Sequence, residues 1–393
     1  MRKRIVLLLI LLLLPTLPGC WDANEINQLG FVLSVALDKA DSEYKVTAQI
    51  AKPDTYSKTP SGSGSGTQKE KPFWVISATG KSIFEAIRNM STNSPRRIFW
   101  AHIKVIIIGE DLARSDIHDV LDFFARNPEN RLRTLIAVTP GEAGKLVEIV
   151  PMMEKDPATD LEKIIENRSL SGKGYRIMLK NFLADYLEPN ANPVASRIRL
   201  SQAKGSPVLE LNGAAVFHNS KLAGWLDEKE TKGLLWTKSE IKGSIMVVNC
   251  PLDGRPITLE IKTGKTSFQS SVENGIPYYQ IKVKSTGNLV EQGCATDFTD
   301  QKAIKALEGA LESAIRNDIQ TTLTTAQNLG VDFLGFNEVL HRQNEAEWQQ
   351  LSKNWPEAFS EAVFSIDVKA NIPSLSVLAR PIEPSSRKIL EQK

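Results

Sequence analysis

Apolar and polar positions follow two rhythms along this chain. The first has a period of two. In "YKVTAQIA", Tyr44, Val46, Ala48 and Ile50 share one face of an extended segment, and "FVLSVALD" across the turn "KADSE" reads as its partner strand. "FWVISATG", "LRTLIAVTPG" and a long strand within "SPRRIFWAHIKVIIIGEDLA" continue the pattern, the last leading into a helix start. The second rhythm is helical. "SIFEAIRNM" is a short helix with Ser82 and Glu85 placed as a capping box. "DIHDVLDFFARN" sets Ile117, Val120, Leu121 and Phe124 at helical spacing before Pro128. Residues 142–188 read as mostly helical, in pieces broken by Pro151, Pro157 and a Gly172/Gly174 turn.

The second half changes character. "VLELNGAAVFHNSKLAGWLD" predicts two strands joined at "HNSK", followed by a short helix over "EKETKGLLW". "GSIMVVN", "PITLEIKTGKTSFQSSV" and "PYYQIKVKSTGNLVE" are strands, the last two joined by the tight turn "ENG". Asp297 or Thr299 is expected to cap a long helix to about Asn328. Its apolar stripe is Ala303, Ala306, Leu307, Ala310, Leu311, Ala314, Ile315, Ile319 and Leu323. A helix near 345–352 and a strand "VFSIDVKANI" follow.

This order predicts a mixed α+β fold in three domains, each a mixed sheet with packed helices, behind an N-terminal signal. The expected divisions are a signal over residues 1–19, an α/β domain over 20–203, a middle domain with the hairpin over 204–260, and a C-terminal α+β domain over 261–393. The first boundary rests on the turn-rich "NANP" and "AKGSP". Residues 53–72, "PDTYSKTPSGSGSGTQKEKP", read as a flexible excursion rather than a phosphate cradle, since no GxxxxGK[ST] pattern is present.

The first residues refine the class. "MRKR" is a basic start, and "IVLLLILLLL" covers about half of a ~30 Å hydrocarbon core. That describes a secretory signal. Leu17, Gly19 and Cys20 stand where a bacterial lipoprotein signal has its Leu, small residue and lipidated Cys, so Cys20 is the expected site of acylation. The bland alternative is an ordinary signal with a chance cysteine. Cys250 and Cys294 are expected as two unpaired, half-buried thiols, with a disulfide outside the cytosol as the alternative.

Composition adds exclusions. The 393 residues are 41% apolar and 24% charged, as in globular proteins, and 48 basic residues face 46 acidic ones. No bulk field draws the chain to nucleic acid, and nucleic acid is not an expected partner. Catalysis at neutral pH needs a placed histidine, carboxylate pair, thiolate or metal. The four histidines form no HExxH, no GxSxG occurs, and "HDVLD" offers His118, Asp119 and Asp122 without a further histidine nearby, so they read as solvated helix charges. His102 alternates with Trp100 and Lys104 and reads as a buried structural residue or a contact residue. "SGKGYR" at 171–176 is a weak anion-holding turn. No catalytic residue, metal or cofactor is expected.

Four quoted segments together resemble the Ger(x)C family, the C subunits of spore nutrient-germinant receptors. "GCWDANEINQLGFVLSVALD" carries Cys20, Trp21, Asp22 and Glu25; "SPRRIFWAHIKVIIIGEDLA" carries Arg96, Arg97, Trp100, His102, Lys104 and Gly109. "NGAAVFHNSKLAGWLDEKETKGLLW" carries Phe217, Lys221, Gly224, Trp225, Leu226 and Glu230. "DFLGFNEVLHRQNEAEW" carries Asp332, Gly335, Phe336 and Trp348, with Asn337 where the family often has a second Gly. The resemblance spans about residues 17–370. It implies a lipoprotein on the outer face of the spore inner membrane, without enzymatic activity, acting with integral-membrane A and B subunits. Trp21, Asp22, Arg97, Trp100, His102, Trp225, Phe336 and Trp348 become interface candidates, because aromatics and arginine dominate hot spots. The competing reading makes the tryptophans core, and Trp225 is expected there. Two other readings stay open: a lipid-anchored nutrient-binding protein serving a permease-like partner, and a wall hydrolase, which would need a carboxylate pair not seen here.

Overall fold

The computed structural model describes residues 25–52, 71–251, 253–294 and 296–375. The signal segment 1–19, Cys20, Trp21, Asp22 and most of the excursion at 53–72 lie outside the described residues. The excursion's flanks meet, with Lys52 N–H donating to the Pro72 carbonyl at 2.9 Å.

The first sheet uses β1 (Leu29–Ala40), β2 (Glu43–Ala51), β3 (Phe73–Gly80), β4 (Arg97–Phe99), β5 (Val105–Gly109), β6 (Leu135–Thr139), β7 (Val194–Ala203), β8 (Ser206–His218) and β9 (Lys221–Leu226). Their spatial order is β3-β2-β1-β5-β6-β7-β8-β9, with β4 beside the start of β1. The centre β1-β5-β6-β7 is parallel and both flanks are antiparallel. Its central strands are buried on both faces, which is why "VIII" shows no polar alternation. Ile106 and Ile108 face one layer of helices, while Val105 and Ile107 face the other. Helices α1 (Ile83–Met90), α2 (Glu110–Ser115), α3 (His118–Arg126), α4 (Gly144–Val147), α5 (Pro157–Glu166) and α6 (Leu179–Leu187) connect these strands. Residues of α1, α2, α3 and α6 pack with Ile106; residues of α4 and α5 pack with Ile107.

The second sheet is β10-β11-β12-β13: β10 (Ile245–Asn249), β11 (Pro256–Glu273), β12 (Ile276–Gln292) and β13 (Val363–Leu375). β10, β11 and β12 run antiparallel, and β13 joins β12 in parallel. The "ENG" turn forms as expected, with Asn274 and Gly275 both at positive φ (52° and 79°), the conformation such a tight hairpin requires. Helices α7 (Glu228–Thr237), α8 (Gln301–Leu329), α9 (Phe336–Gln343), α10 (Glu345–Leu351) and α11 (Trp355–Ser360) complete the chain. One continuous apolar cluster joins both sheets, from Val32 to Ile372.

Position 203/204, the first expected boundary, lies in the turn between β7 and β8, which pair from Val194–Val216 to Ala203–Ser206, and position 260/261 lies within β11. Several other expectations are corrected. The described strands form two sheets. The long strand through "RIFWAHIKVIII" is broken into β4 and β5 by a turn at 101–102, so His102 is exposed at that turn. Pro157 does not interrupt a helix but begins one: it stands in the first turn of α5, where its missing N–H costs nothing, and the Asp156 carboxylate caps Thr159 N–H at 2.8 Å. The cap of α8 is Asp300, whose carboxylate accepts from Lys302 N–H at 3.0 Å. Ala306 is exposed on α8, and Asp318 and Thr322 join its buried stripe. In α1, Ser82 Oγ accepts from Glu85 N–H, but the Glu85 carboxylate reaches back to Lys81 N–H rather than to Ser82. Cys250 and Cys294 form a disulfide, each 2% exposed.

Candidate functional site: a groove beside the arginine-rich strand

The resemblance residues divide into joints and surface. Gly109 is a joint. A Cβ there would collide with the Asp38 carboxylate, which turns inward to accept the N–H groups of Ala143 at 2.7 Å and Gly144 at 2.9 Å at the start of α4. Burial pushes the Asp38 carboxyl up, opposed by those two N–H donors. Asp332 is another joint. One of its oxygens accepts from the N–H of Gly335 (2.9 Å) and Phe336 (3.1 Å); the other accepts from Asn337 N–H (2.7 Å) and the Trp355 indole (3.2 Å). It is 2% exposed, and burial raises its carboxyl above the usual range against the pull of these donors. Gly335 supplies the φ of +89° that turns the chain into α9.

Phe336 is 1% exposed, packed against Tyr279 and Phe364, and so belongs to the core. Trp348 is half-buried and stacks on His341 with centroids 3.8 Å apart. Trp225, expected in the core, is half-buried instead. Its indole N–H donates to Glu110 at 3.3 Å and its ring carries the Arg197 guanidinium at 4.9 Å. The "SGKGYR" turn is a packing device. Lys173 pairs with Glu228 at 2.8 Å, and Gly172 and Gly174 leave room for Ser244 and Leu211. The "HDVLD" groups do not converge: His118 meets Tyr186, Asp119 accepts from Tyr44, and Asp122 pairs with Arg126.

The surface part is a groove of ≈ 940 Å³ between α1, β4 and α3. Trp100, only 4% exposed, lies at its floor, its backbone N–H donating to Glu129 at 3.3 Å. Glu129 also holds Arg97 at 3.4 Å. On the rim, Phe84 is 51% exposed, with the Arg88 guanidinium 4.7 Å above its ring and Phe123 at 6.3 Å. The exposed His102 ring packs against Phe31 and Phe99, and burial together with Arg131 lowers its pKa. Of the expected interface residues, Arg97 and Trp100 therefore meet in one groove; His102, Trp225 and Trp348 lie elsewhere.

Sequence reading missed Phe84 and Arg88. The signal was present: Ile83, Ala86, Ile87 and Met90 make the buried stripe of α1, and Phe84 falls off it with an arginine four residues on. An exposed aromatic beneath an arginine, over a partly apolar groove, is chemistry suited to binding.

Comparison with known proteins covers most of the chain. Residues 22–200 match the family described as spore germination protein N-terminal domain, and residues 212–375 match the family described as spore germination B3/GerAC like, C-terminal. The putative spore germination protein YfkR of Bacillus subtilis (strain 168) is 29% identical over 355 residues, covering 89% of this chain and 91% of that one. Spore germination protein B3 of the same organism is 28% identical over 374 residues, covering 94% and 97%. The crystal structure of the GerBC protein superposes with a TM-score of 0.54 at 24% identity, over 89% of this chain and all of that one, a likeness of fold. With both halves matched in order, this chain belongs to the Ger(x)C family of spore germination proteins.

Proposed function

We propose that the chain is a non-catalytic, lipid-anchored C subunit of a nutrient-germinant receptor. In this reading Cys20 carries the lipid at the outer face of the spore inner membrane, and the body assembles with integral-membrane A and B subunits. The observation that carries it is the match of both halves to spore germination families. No described helix is long and apolar enough to cross a membrane, so a lipid on Cys20 would supply the hold. Tethering removes much of the freedom lost on association, so one modest groove suffices for docking. The α1–β4–α3 groove is that docking surface, with Phe84 and Arg88 as its anchors.

The test is dipicolinate release from spores carrying Phe84→Glu with Arg88→Glu, or Cys20→Ala, with abundance of the variant followed in parallel. Loss of response to one nutrient class, at normal abundance and with a non-nutrient trigger still effective, is the expected result. Full response to every nutrient from both variants would sink the proposal.

A second reading, a lipid-anchored nutrient-binding protein, draws on a polar cleft of ≈ 520 Å³ lined by Arg176, Asp185, Lys238 and Lys242. Burial raises the Asp185 carboxyl, opposed by Lys238. Thermal stabilisation of the protein by one member of a nutrient panel, lost in Asp185→Asn, would favour it over the first.

A further inference from the structure

Among the described residues, the second sheet is covered on one face only. On β12, Tyr279, Ile281, Val283 and Leu289 point into the core, while Gln280, Lys282, Lys284, Thr286 and Asn288 alternate on the open face. The strand register places Lys265 of β11 directly opposite Lys284, and Lys284 directly opposite Lys369 of β13. Three ammonium groups thus stand in one row across three adjacent strands, all exposed. At a spacing of about 4.8 Å per strand the row is roughly 10 Å long.

Like charges directly opposite one another weaken a sheet. Among the described residues none of the three makes a hydrogen bond or ion pair. The open face does hold acids, but these are placed elsewhere. Asp367 stands opposite Lys282, Glu260 binds Lys262 at 2.6 Å, and Glu291 lies beside Thr258. The next row, Thr263–Thr286–Asn371, is uncharged. Asp367 is diagonal to Lys284 but bonds none of the three, and a row of like charges with no bonded partner in the described structure points to an external anion.

The chemistry of the row favours one kind of partner. Lysine is a point charge on a flexible stem, without the planar fork that reads a single carboxylate in two bonds. It is depleted from protein–protein interfaces and effective against diffuse headgroup charge. The four strands of this sheet carry no arginine. We propose that the Lys265–Lys284–Lys369 row is where the body rests on an anionic bilayer, its ammonium groups against lipid phosphates. This rests on the anchored reading above, since so few charges hold a protein to a surface only when a tether keeps it near.

The full lipidated chain would be placed on vesicles of phosphatidylcholine alone, or of equal parts phosphatidylcholine and phosphatidylglycerol, and each lysine's acetylation rate read by mass spectrometry. On anionic vesicles Lys265, Lys284 and Lys369 should slow by roughly threefold or more, and recover in high salt. The exposed Lys221 and Lys302 should not change. Equal rates for the three lysines on both compositions would overturn the proposal. So would protection that appears only on native membranes stripped of none of their proteins, which would identify an acidic protein surface instead. Flotation with neutral vesicles reports the tether separately. A chain that floats with neither composition ends both readings, and one that floats with neutral vesicles yet shows no selective protection ends only this one. A chain carrying Lys265→Gln, Lys284→Gln and Lys369→Gln should lose the salt-sensitive protection of neighbouring Lys282 while still floating.

Discussion

Trp348 donates its indole N–H to the side-chain oxygen of Asn337 at 2.7 Å, and Asn337 passes its own amide on to the carbonyl of Pro189 at 3.1 Å. Two helices of the second unit are thereby tied to the segment that precedes β7. Asn337 is 2% exposed, so truncating it strands buried groups on both sides. Asn337→Ala should cost about 1–3 kcal/mol in urea unfolding. Asp332→Ala, which strands four donors at once, should cost roughly 3–5 kcal/mol. A loss within experimental error for either would show that water replaces these contacts.

Gly233 lies where α7 crosses α8. A Cβ there would overlap Thr322 Oγ1 and the carbonyl of Asp318. Alanine is the better helix former by about 1 kcal/mol, so propensity alone predicts a more stable Gly233→Ala protein. Overpacking predicts the reverse, a net loss of about 1–3 kcal/mol. Chemical denaturation of the variant decides between the two signs.

Asp318, 8% exposed, has one buried carboxylate oxygen without a partner among the described residues. Burial pushes its carboxyl up to about 6, with Lys232 pulling the other way. Between the ordinary value and 6 the folded chain holds this proton more tightly than the unfolded one, so its contribution is full below about pH 4 and is lost as pH rises to 6. The stability of the natural protein relative to Asp318→Asn should therefore fall by up to about 3 kcal/mol between pH 4 and pH 7. Parallel urea titrations at the two pH values measure it; a pH-independent difference would mean the carboxyl ionises normally.

The disulfide joins the end of β10 to the segment after β12 across a sequence separation of 44. Closing a loop of that size stabilises by about 2–4 kcal/mol. Reduction, or Cys250→Ser with Cys294→Ser, should lower the melting temperature with the first-sheet groove unchanged. Identical melting with and without reductant would show that the bond adds nothing.

What could be read in the sequence was local. The β11–β12 hairpin was legible because its alternation and its "ENG" turn lie within one stretch of chain. The Ser82 cap of α1 was legible for the same reason; the capping box that Asp227 and Glu230 close at α7 went unread, although both residues stand at the right spacing in the sequence. Other features depend on contacts between distant residues. Asn192 reaches the Asp332 carbonyl across 140 positions, and Cys250 finds Cys294 across 44. The "AKGSP" segment looks like a linker because a turn between paired strands has the same composition as a linker; "NANP" joins α6 to β7. The apolar run "FWAHIKVIII" hid a turn, because Trp100 and Ile103 stay buried on both sides of it. At the candidate groove Arg97 and Trp100 were legible as a motif. Phe84 was not, since one exposed aromatic is ordinary until Arg88 and Phe123 are seen around it.

The chain enters its first sheet through an interior strand. β1 is bonded to β2 along one flank and to β4 and β5 along the other, and Val35, Ala36 and Leu37 are wholly buried between them. A pull on the residues before Glu25 therefore runs lengthwise along β1. It loads two hydrogen-bond ladders in shear at the same time, and no edge is available to be peeled one bond after another. Under the proposed attachment at Cys20, such a body would resist being unravelled by its own anchor, and a displacement of that anchor would reach β4 and the groove above it as a rigid shift.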